Sequence, residues 1–560
     1  MEGNFGAPPQ HRNHLKSPVG NQAGHRRRQQ AVQIGKERRE AVVRAKRLRR
    51  GDAVPNGDQS EAPDSHMDEE ATARAAEASS RALEENTLKA VKALREYVGP
   101  GIILGKDMAL KKIEALRNVR SLLSCNAMPP LNVAVEAGVV PLLVQCLAFG
   151  SPEEQILEAA WCLTNIASGE QDLTKAVLPA LPYLISHLGD KSAATVAEQC
   201  AWAIGNVAGE GEEMRDILLA QGAMRPLARL MSSPYPSLAR TASWAMSNLI
   251  KGPSPRAASD LMKIEGMADT LVGLMMKGDE ELMVELAWVM VYLTSMADAH
   301  SGILLSVGLL PILINKLGTS DQTALLTPFL RCIGNIVAGD NSKTDAVLNA
   351  GGDISGGIIG ALTRCLDMGH RTMQKEAAWA VSNIAAGSML HKRMVFQGGA
   401  IPSLLHLLAT AAFDVRKEAA YALGNVCVAP KAKAKEVDPI VEHLTVLVDR
   451  GCIPGFTALV KSPDMEAARL GLQFLELVMR GLPGGQGPKV VEKEDGIAAM
   501  ETLQFHENDE LRLMANTLID KYFGEDYGLE EEYGSEVVDM IRGSDESSEY
   551  PPWRRGVVNG

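Results

Sequence analysis

The sequence predicts an all-α solenoid, and three observations carry that prediction. Its apolar mass is aliphatic rather than aromatic, one helical unit recurs along most of its length, and Gly and Pro punctuate that unit at fixed places. Hydrophobic residues make up 46% of the 560 but aromatics only 4%, with Ala, Leu, Val and Met dominant, which favours helix over strand. A chain of this length exceeds what one compact core holds, so repeats are the first thing to seek.

From about residue 104 the unit reads as an apolar helix ending in Gly, a helix often opened by Pro, a loop, and a longer Ala-rich helix. Junctions of the first kind are Ala137-Gly138-Val139-Val140-Pro141, Val307-Gly308-Leu309-Leu310-Pro311, Gly399-Ala400-Ile401-Pro402 and Gly451-Cys452-Ile453-Pro454. The third helices read AAWCLTNIASG, CAWAIGNVAGE, ASWAMSNLIKG, LAWVMVYLTSM, FLRCIGNIVAG, AAWAVSNIAAG and AAYALGNVCVA. Their marker positions 161, 202, 244, 288, 331, 379 and 421 lie 41, 42, 44, 43, 48 and 42 residues apart, the period of three-helix armadillo or HEAT repeats. Each unit buries its apolar faces only against its neighbours. The glycine-rich stretch Gly351 to Gly360 lengthens one repeat.

The flanks are of another kind. Residues 1–24 and 51–80 are polar and without hydrophobic period, and are expected to be disordered. Between them, HRRRQQAVQIGKERREAVVRAKRLRR (25–50) is too polar to fold alone and is suited to form a basic helix on a partner. The first 50 residues hold thirteen Lys/Arg against three Asp/Glu, a charge of +10; the remaining 510 hold 44 against 66, or −22. Such a body attracts basic ligands and is a poor partner for nucleic acid.

Other functions are not encoded. The eight cysteines stand singly in apolar stretches, without CxxC pairs or clustered His, and read as small core residues in a reducing compartment rather than zinc ligands or disulfides. No run of about 18 apolar residues appears, so no membrane insertion is expected, and the chain reads as soluble and intracellular. There is no P-loop, GxSxG, HExxH or metal-spaced cluster, so neither an enzyme nor a cofactor is expected.

One pattern in the third helices carries chemistry: Trp161/Asn165, Trp202/Asn206, Trp244/Asn248 and Trp379/Asn383, each Trp-x-x-x-Asn. Residues four apart share a helical face, so each repeat presents an indole beside a carboxamide. For one pair alone, a core Trp and a helix-end Asn would suffice as explanation. Core packing, however, does not need an amide at a fixed offset, and a buried Asn would need a partner in every repeat. Four pairs in phase therefore point to a surface ladder. Its amides suit the N–H and C=O groups of an extended peptide, and its indole faces accept the stems of Lys or Arg, with cation–π attraction of about 0.5–2 kcal/mol each. The expected ligand is an extended basic peptide, with Glu210, Glu376 and Glu418 as partners for its charges.

At these residues the sequence resembles importin alpha, the armadillo adaptor of classical nuclear import, over about residues 25–531. The resemblance extends to irregularities: Trp288/Tyr292 in the fifth repeat and Arg331/Asn335 in the sixth. It implies a right-handed α-solenoid of about ten armadillo repeats with a disordered basic N-terminal arm. The major peptide site it implies comprises Trp161, Asn165, Ser168, Gly169, Thr174, Trp202, Asn206, Glu210, Trp244 and Asn248, with Glu210 where the family usually has Asp. The minor site comprises Arg331, Asn335, Glu376, Trp379, Ser382, Asn383, Glu418, Tyr421 and Asn425. Tyr421 replaces the usual Trp there, so a weaker minor site is expected.

The arm resembles the importin-beta-binding segment, through Arg26, Arg27, Arg28, Arg38, Arg39, Lys46, Arg47, Arg49 and Arg50, although upstream HRNHLK matches poorly. In the family its basic end lies in the adaptor's own groove until the carrier removes it, and a tethered +10 arm beside a −22 body fits that switch. Residues 500–526 resemble the last repeat, which in the family contacts the export receptor, and Glu530, Glu531 and Glu532 follow. The expected organisation is a basic arm over 1–50, a flexible linker over 51–85, a solenoid over 86–526 and an acidic, disordered tail over 527–560. The implied partners are signal-bearing cargo, importin beta and an export receptor, and the implied location is cytoplasm and nucleus. A catenin-type scaffold is the competing reading, disfavoured because its groove would be lined by Lys and Arg.

Overall fold

The structure, a computed structural model, describes residues 69–99, 105–124, 129–252, 254–296, 298–350, 355–428 and 437–524. The basic arm with its nine named cations, the Glu530 to Glu532 cluster, Cys125 and residues 351–354 of the glycine-rich stretch lie outside the described residues. Among the described residues all regular structure is helical. They divide into two compact units, one within residues 25–300 and the other from Ser301 on.

The first unit opens on α1 (Glu69–Arg95), which begins inside the segment expected to be a flexible linker. The polar composition of that stretch suggested disorder. Its Ala-rich sequence nonetheless has high helix propensity, and Ala90, Val91 and Leu94 give it a face to bury. Third helices then follow as α2 (Lys106–Ser124), α3 (Glu153–Ile166), α4 (Ala194–Glu210), α5 (Pro236–Ile250) and α6 (Glu280–Met296), each packed on its predecessor or successor. Ala159, Ala160, Ala201, Ala203, Ala242 and Ala245 are almost wholly buried, because small side chains let neighbouring third helices approach closely. Between a repeat's first and second helices the chain turns through Gly138 at φ 76°, a left-handed conformation that glycine adopts without strain.

The second unit repeats the plan with α7 (Thr323–Val337), α8 (Arg371–Ala385), α9 (Phe413–Val426), α10 (Met465–Gly481) and α11 (Asp509–Phe523). Its helices carry explicit N-caps: Asp464 accepts from Ala467 N–H and Asn508 from Leu511 N–H, while Ser388 and His391 form a reciprocal capping box. Phe456 and Phe474 stack with ring centroids 3.6 Å apart in its core. The seven described cysteines of the two units are all buried free thiols, and burial pushes Cys146 and Cys365 up to about 11. They are packing groups rather than nucleophiles.

Candidate functional site

In the first unit the three Trp–Asn pairs lie on α3, α4 and α5, and adjacent repeats are tied together by the asparagines. Asn165 Nδ2 donates to Ser124 Oγ at 2.8 Å, Asn206 Nδ2 to the Thr164 carbonyl at 3.0 Å and Asn248 Nδ2 to the Gly205 carbonyl at 3.1 Å. These amides are buried, at 4%, 0% and 3% exposure, so the expectation of a ladder standing on the surface is corrected. The partner that a buried Asn requires in every repeat is present: a polar group of the preceding third helix. Each carboxamide has a second N–H and an oxygen beyond that bond, and Asn206 Oδ1 has no hydrogen-bond donor among the described residues. The rungs thus serve as inter-helix ties.

Two of the indoles are seated by glycine. A Cβ on Gly205, the residue before Asn206, would stand 2.2 Å from Trp244 Cζ3, and one on Gly334 would stand 2.0 Å from Trp379 Cζ3. In these two repeats the indole therefore lies over the bare backbone of the helix before it. The Gly–Asn doublets were visible in the sequence, but their partner rings were not.

Residue Arg120 of α2 opens the first ladder. Its guanidinium lies 4.6 Å from the centroid of the Trp161 ring, and its Nε is 2.7 Å from Glu158 Oε2, three residues before that Trp. Arg120 and Ser124 occupy the offset that Trp and Asn fill in later repeats, a signal available in the sequence but not used. The remaining predicted residues cluster at the ends of the third helices. Ser168 donates to the Asn165 carbonyl at 2.7 Å, and Thr174, fully buried, donates to the Ala167 carbonyl at 3.3 Å. Gly169 leaves room for Leu173. Glu210, half-buried, is the last residue of α4, where its carboxylate adds to the negative helix end and draws cations.

The second unit builds its ladder on α7, α8 and α9. Asn383 Nδ2 donates to the Gly334 carbonyl at 3.1 Å and Asn425 Nδ2 to the Ser382 carbonyl at 2.9 Å, the same tie as in the first unit. Ser382, fully buried, donates to the Trp379 carbonyl, and Asn335 is half-buried. Where an indole is replaced, charge takes over. Arg331 Nη2 and Glu376 Oε1 form a buried ion pair at 2.8 Å, so Glu376, expected to meet ligand charge, is engaged within the chain. Tyr421 donates its phenol to Glu466 Oε1 at 2.6 Å, and Lys417 bridges Glu466 and Asp464 at 3.1 and 3.2 Å. Burial, followed by the carboxylate of Glu466, pushes the Tyr421 phenol far up, so it stays a donor. Glu418 is half-buried three residues before it.

Family models agree with this geometry. The armadillo/beta-catenin-like repeat matches residues 132–168, 211–251, 357–386 and 390–428, and a HEAT-like repeat matches 153–207. An engineered protein of known crystal structure shares the fold with a TM-score of 0.65 at 24% identity, covering 78% of this chain and 98% of its own. Importin subunit alpha-9 of Arabidopsis thaliana is 53% identical over 529 residues, covering 94% of this chain and 99% of its own length. Importin subunit alpha-2 of Oryza sativa subsp. japonica is 53% identical over 523 residues, covering 93% and 97%. Importin subunit alpha-3 of Arabidopsis thaliana is 30% identical over 532 residues. Repeats, ladder and near full-length identity together lead to one conclusion: the chain belongs to the importin alpha family of nuclear-import adaptors.

Proposed function

We propose that the chain carries out import by holding Lys/Arg-rich localisation signals as extended peptides along the two Trp–Asn ladders, the first ladder taking the main cluster. The observation that carries this reading is the in-phase set of asparagines, each tied to the helix before it through one N–H, with Asn206 Oδ1 lacking a donor among the described residues. A peptide N–H satisfies such an oxygen, and a Lys stem beside the indoles adds about 0.5–2 kcal/mol of cation–π attraction per contact. The helix ends bearing Ser168, Thr174 and Glu210 suit a ligand ammonium, since carbonyl poles, hydroxyl lone pairs and a carboxylate all favour it.

Around this site the proposal assigns the basic arm two roles: binding importin beta through Arg26 to Arg28, Arg38 and Arg39, and competing for the ladder through Lys46, Arg47, Arg49 and Arg50. The last repeat, ending in α11, is assigned to an export receptor, so the protein shuttles between cytoplasm and nucleus.

The test is fluorescence anisotropy of a labelled Lys-rich peptide against the full chain and against a chain lacking residues 1–68, a cut chosen to leave α1 whole. The expected result is tighter, salt-sensitive binding by the shortened chain, and loss of about a hundredfold or more in Trp202→Ala/Asn206→Ala. Undiminished binding by that double variant would remove the first ladder as the site; equal binding by the two lengths would remove the competing arm.

A further inference from the structure

Among the described residues four serines precede a proline: Ser151, Ser233, Ser254 and Ser462. Ser151, Ser233 and Ser462 are half-buried in the turns that lead into α3, α5 and α10, and the residue after the proline is Glu153, Tyr235 or Asp464. Ser254 differs on each count. It is exposed, its proline is followed by Arg256, and it lies in the turn that leaves α5 rather than one that enters a third helix. Its Oγ accepts from the Arg256 N–H at 3.3 Å, and the Arg256 side chain is 84% exposed. By position this turn belongs with the first ladder: Ser254 follows the rung Asn248 by six residues, within the offset at which Ser168 to Thr174 follow Asn165. The turns differ in charge. The one after α3 carries Glu170 and Asp172, and the one after α4 carries Glu212 and Glu213 behind Glu210, whereas the one after α5 holds Lys251 and Arg256 with no carboxylate between them. A basic peptide laid along three rungs meets negative charge at two helix ends and positive charge at the third.

Resting on the ladder reading given above, we propose that Ser254 is a phosphorylation site for a proline-directed protein kinase, and that its phosphate strengthens the binding of basic peptides to the first ladder. The run Ser254-Pro255-Arg256 offers such an enzyme an accessible hydroxyl, a proline that fixes the chain after it, and an exposed cation. Ser254 Oγ attacks the γ-phosphorus of ATP, the bond from that phosphorus to the bridging oxygen breaks, ADP leaves, and the hydroxyl proton passes to the kinase's base. The product carries a charge of about −1.5 to −2 at pH 7, enough to offset Lys251 and Arg256 together. Its oxygens accept from the Arg256 N–H that Oγ already engages and from the guanidinium of the same residue. The end of α5 then no longer repels a ligand's basic cluster, and the three rungs act on it with one sign of charge. Modification at this serine is therefore a control on how far along the first ladder a basic run is held.

The experiment uses the full chain with its competing arm silenced by Lys46→Ala/Arg47→Ala/Arg49→Ala/Arg50→Ala. This protein is treated with a purified cyclin-dependent kinase, a proline-directed enzyme, and Mg-ATP, and tandem mass spectrometry maps the phosphate. Ser254 is expected to be modified in the native chain, ahead of Ser151, Ser233 and Ser462; a native chain left unmodified at Ser254 overturns the proposal. Anisotropy of a fluorescein-labelled pentalysine peptide then reads the effect. The phosphorylated chain is expected to bind on the order of tenfold tighter at low salt, with the gain shrinking at high salt. Ser254→Ala treated in the same way shows no gain, and Ser254→Glu, with less charge, gains about threefold untreated. A chain phosphorylated at Ser254 that binds no tighter overturns the proposal, as does an equal gain in the treated alanine variant. Trp202→Ala/Asn206→Ala on the same background is expected to lose the peptide with or without phosphate. Undiminished binding there is a failure of the ladder reading, distinct from failure of the Ser254 assignment, which the mass spectrum decides.

Discussion

The two ladders are built from the same tie and differ in what fills the spaces between ties. In the first unit three indoles follow one another on α3, α4 and α5, and one cation, Arg120, lies over the first of them. In the second unit one indole, Trp379, stands between a buried Arg331–Glu376 pair and a Tyr421–Glu466–Lys417–Asp464 network, with Lys392 at the helix ends. An amide-to-carbonyl bond holds adjacent helices at a fixed spacing whatever lies alongside, so the scaffold is conserved between units while the recognition surface is not. On the proposed reading the first ladder offers π-faces to ligand cations, whereas the second pairs part of its carboxylate charge with cations of its own. This sharpens the expectation of a weaker second site: the smaller ring of Tyr421 is one cause, and internal charge pairing is another.

The hardest test of that contrast is the buried pair. Arg331 and Glu376 are each 7% exposed, and removing one partner leaves the other as an uncompensated buried charge. Arg331→Met or Glu376→Met is expected to cost about 3–5 kcal/mol in urea unfolding, whereas the double Met variant is expected within about 1–2 kcal/mol of the parent. Additive losses in the double variant would mean that the two side chains act separately and that the second ladder is not organised by charge.

Glycine provides the next test, and here the units are expected to behave alike. Gly205→Ala and Gly334→Ala each drive a methyl into an indole seated at van der Waals distance, Trp244 in one unit and Trp379 in the other. Overpacking of this kind costs about 1–3 kcal/mol, which outweighs the roughly 1 kcal/mol that Ala gains over Gly in a helix. Destabilisation with a shift in tryptophan emission is expected from both. A stabilised Gly205→Ala would show that the Trp244 ring is not held against that backbone.

What the sequence made legible follows from which groups leave a side-chain signature. The repeat period, the third helices and the Trp–Asn spacing were readable because side chains carry them. The burial of the amides was not, since the acceptors of Asn206, Asn248, Asn383 and Asn425 are backbone carbonyls of Thr164, Gly205, Gly334 and Ser382, positions alike in geometry but different in residue type. Arg120 and Ser124 could have been found by extending the four-residue offset one repeat back. Lys392 and Glu466 could not, because each acts on a helix other than its own. The start of α1 at Glu69 was missed because polar composition was weighed above the helix propensity of Ala and Glu.

The smallest expected effect probes the exposed edge of the second ladder. Burial raises the Asp464 carboxyl, but the Ala467 N–H and Lys417 outweigh it and hold it below the ordinary value of about 4. Burial lowers Lys417, but Glu466 and Asp464 outweigh that and hold it above about 10.4. The stability from Asp464 is thus present above the unfolded carboxyl value and lost as pH falls through the folded one. That from Lys417 is present below its unfolded value and lost as pH rises through its folded one. Between about pH 5 and pH 9 neither changes. Asn at position 464 caps α10 as well as Asp does, so Asp464→Asn removes the charge and little else. It is expected to cost about 0.5 kcal/mol at pH 7, since this carboxylate is partly exposed and its pairing is screened by water, and the cost should fade as the pH drops below about 4. A cost unchanged at pH 3 would assign the effect of Asp464 to its cap hydrogen bond, and Lys417 would then hold Glu466, and through it Tyr421, without help from its neighbour.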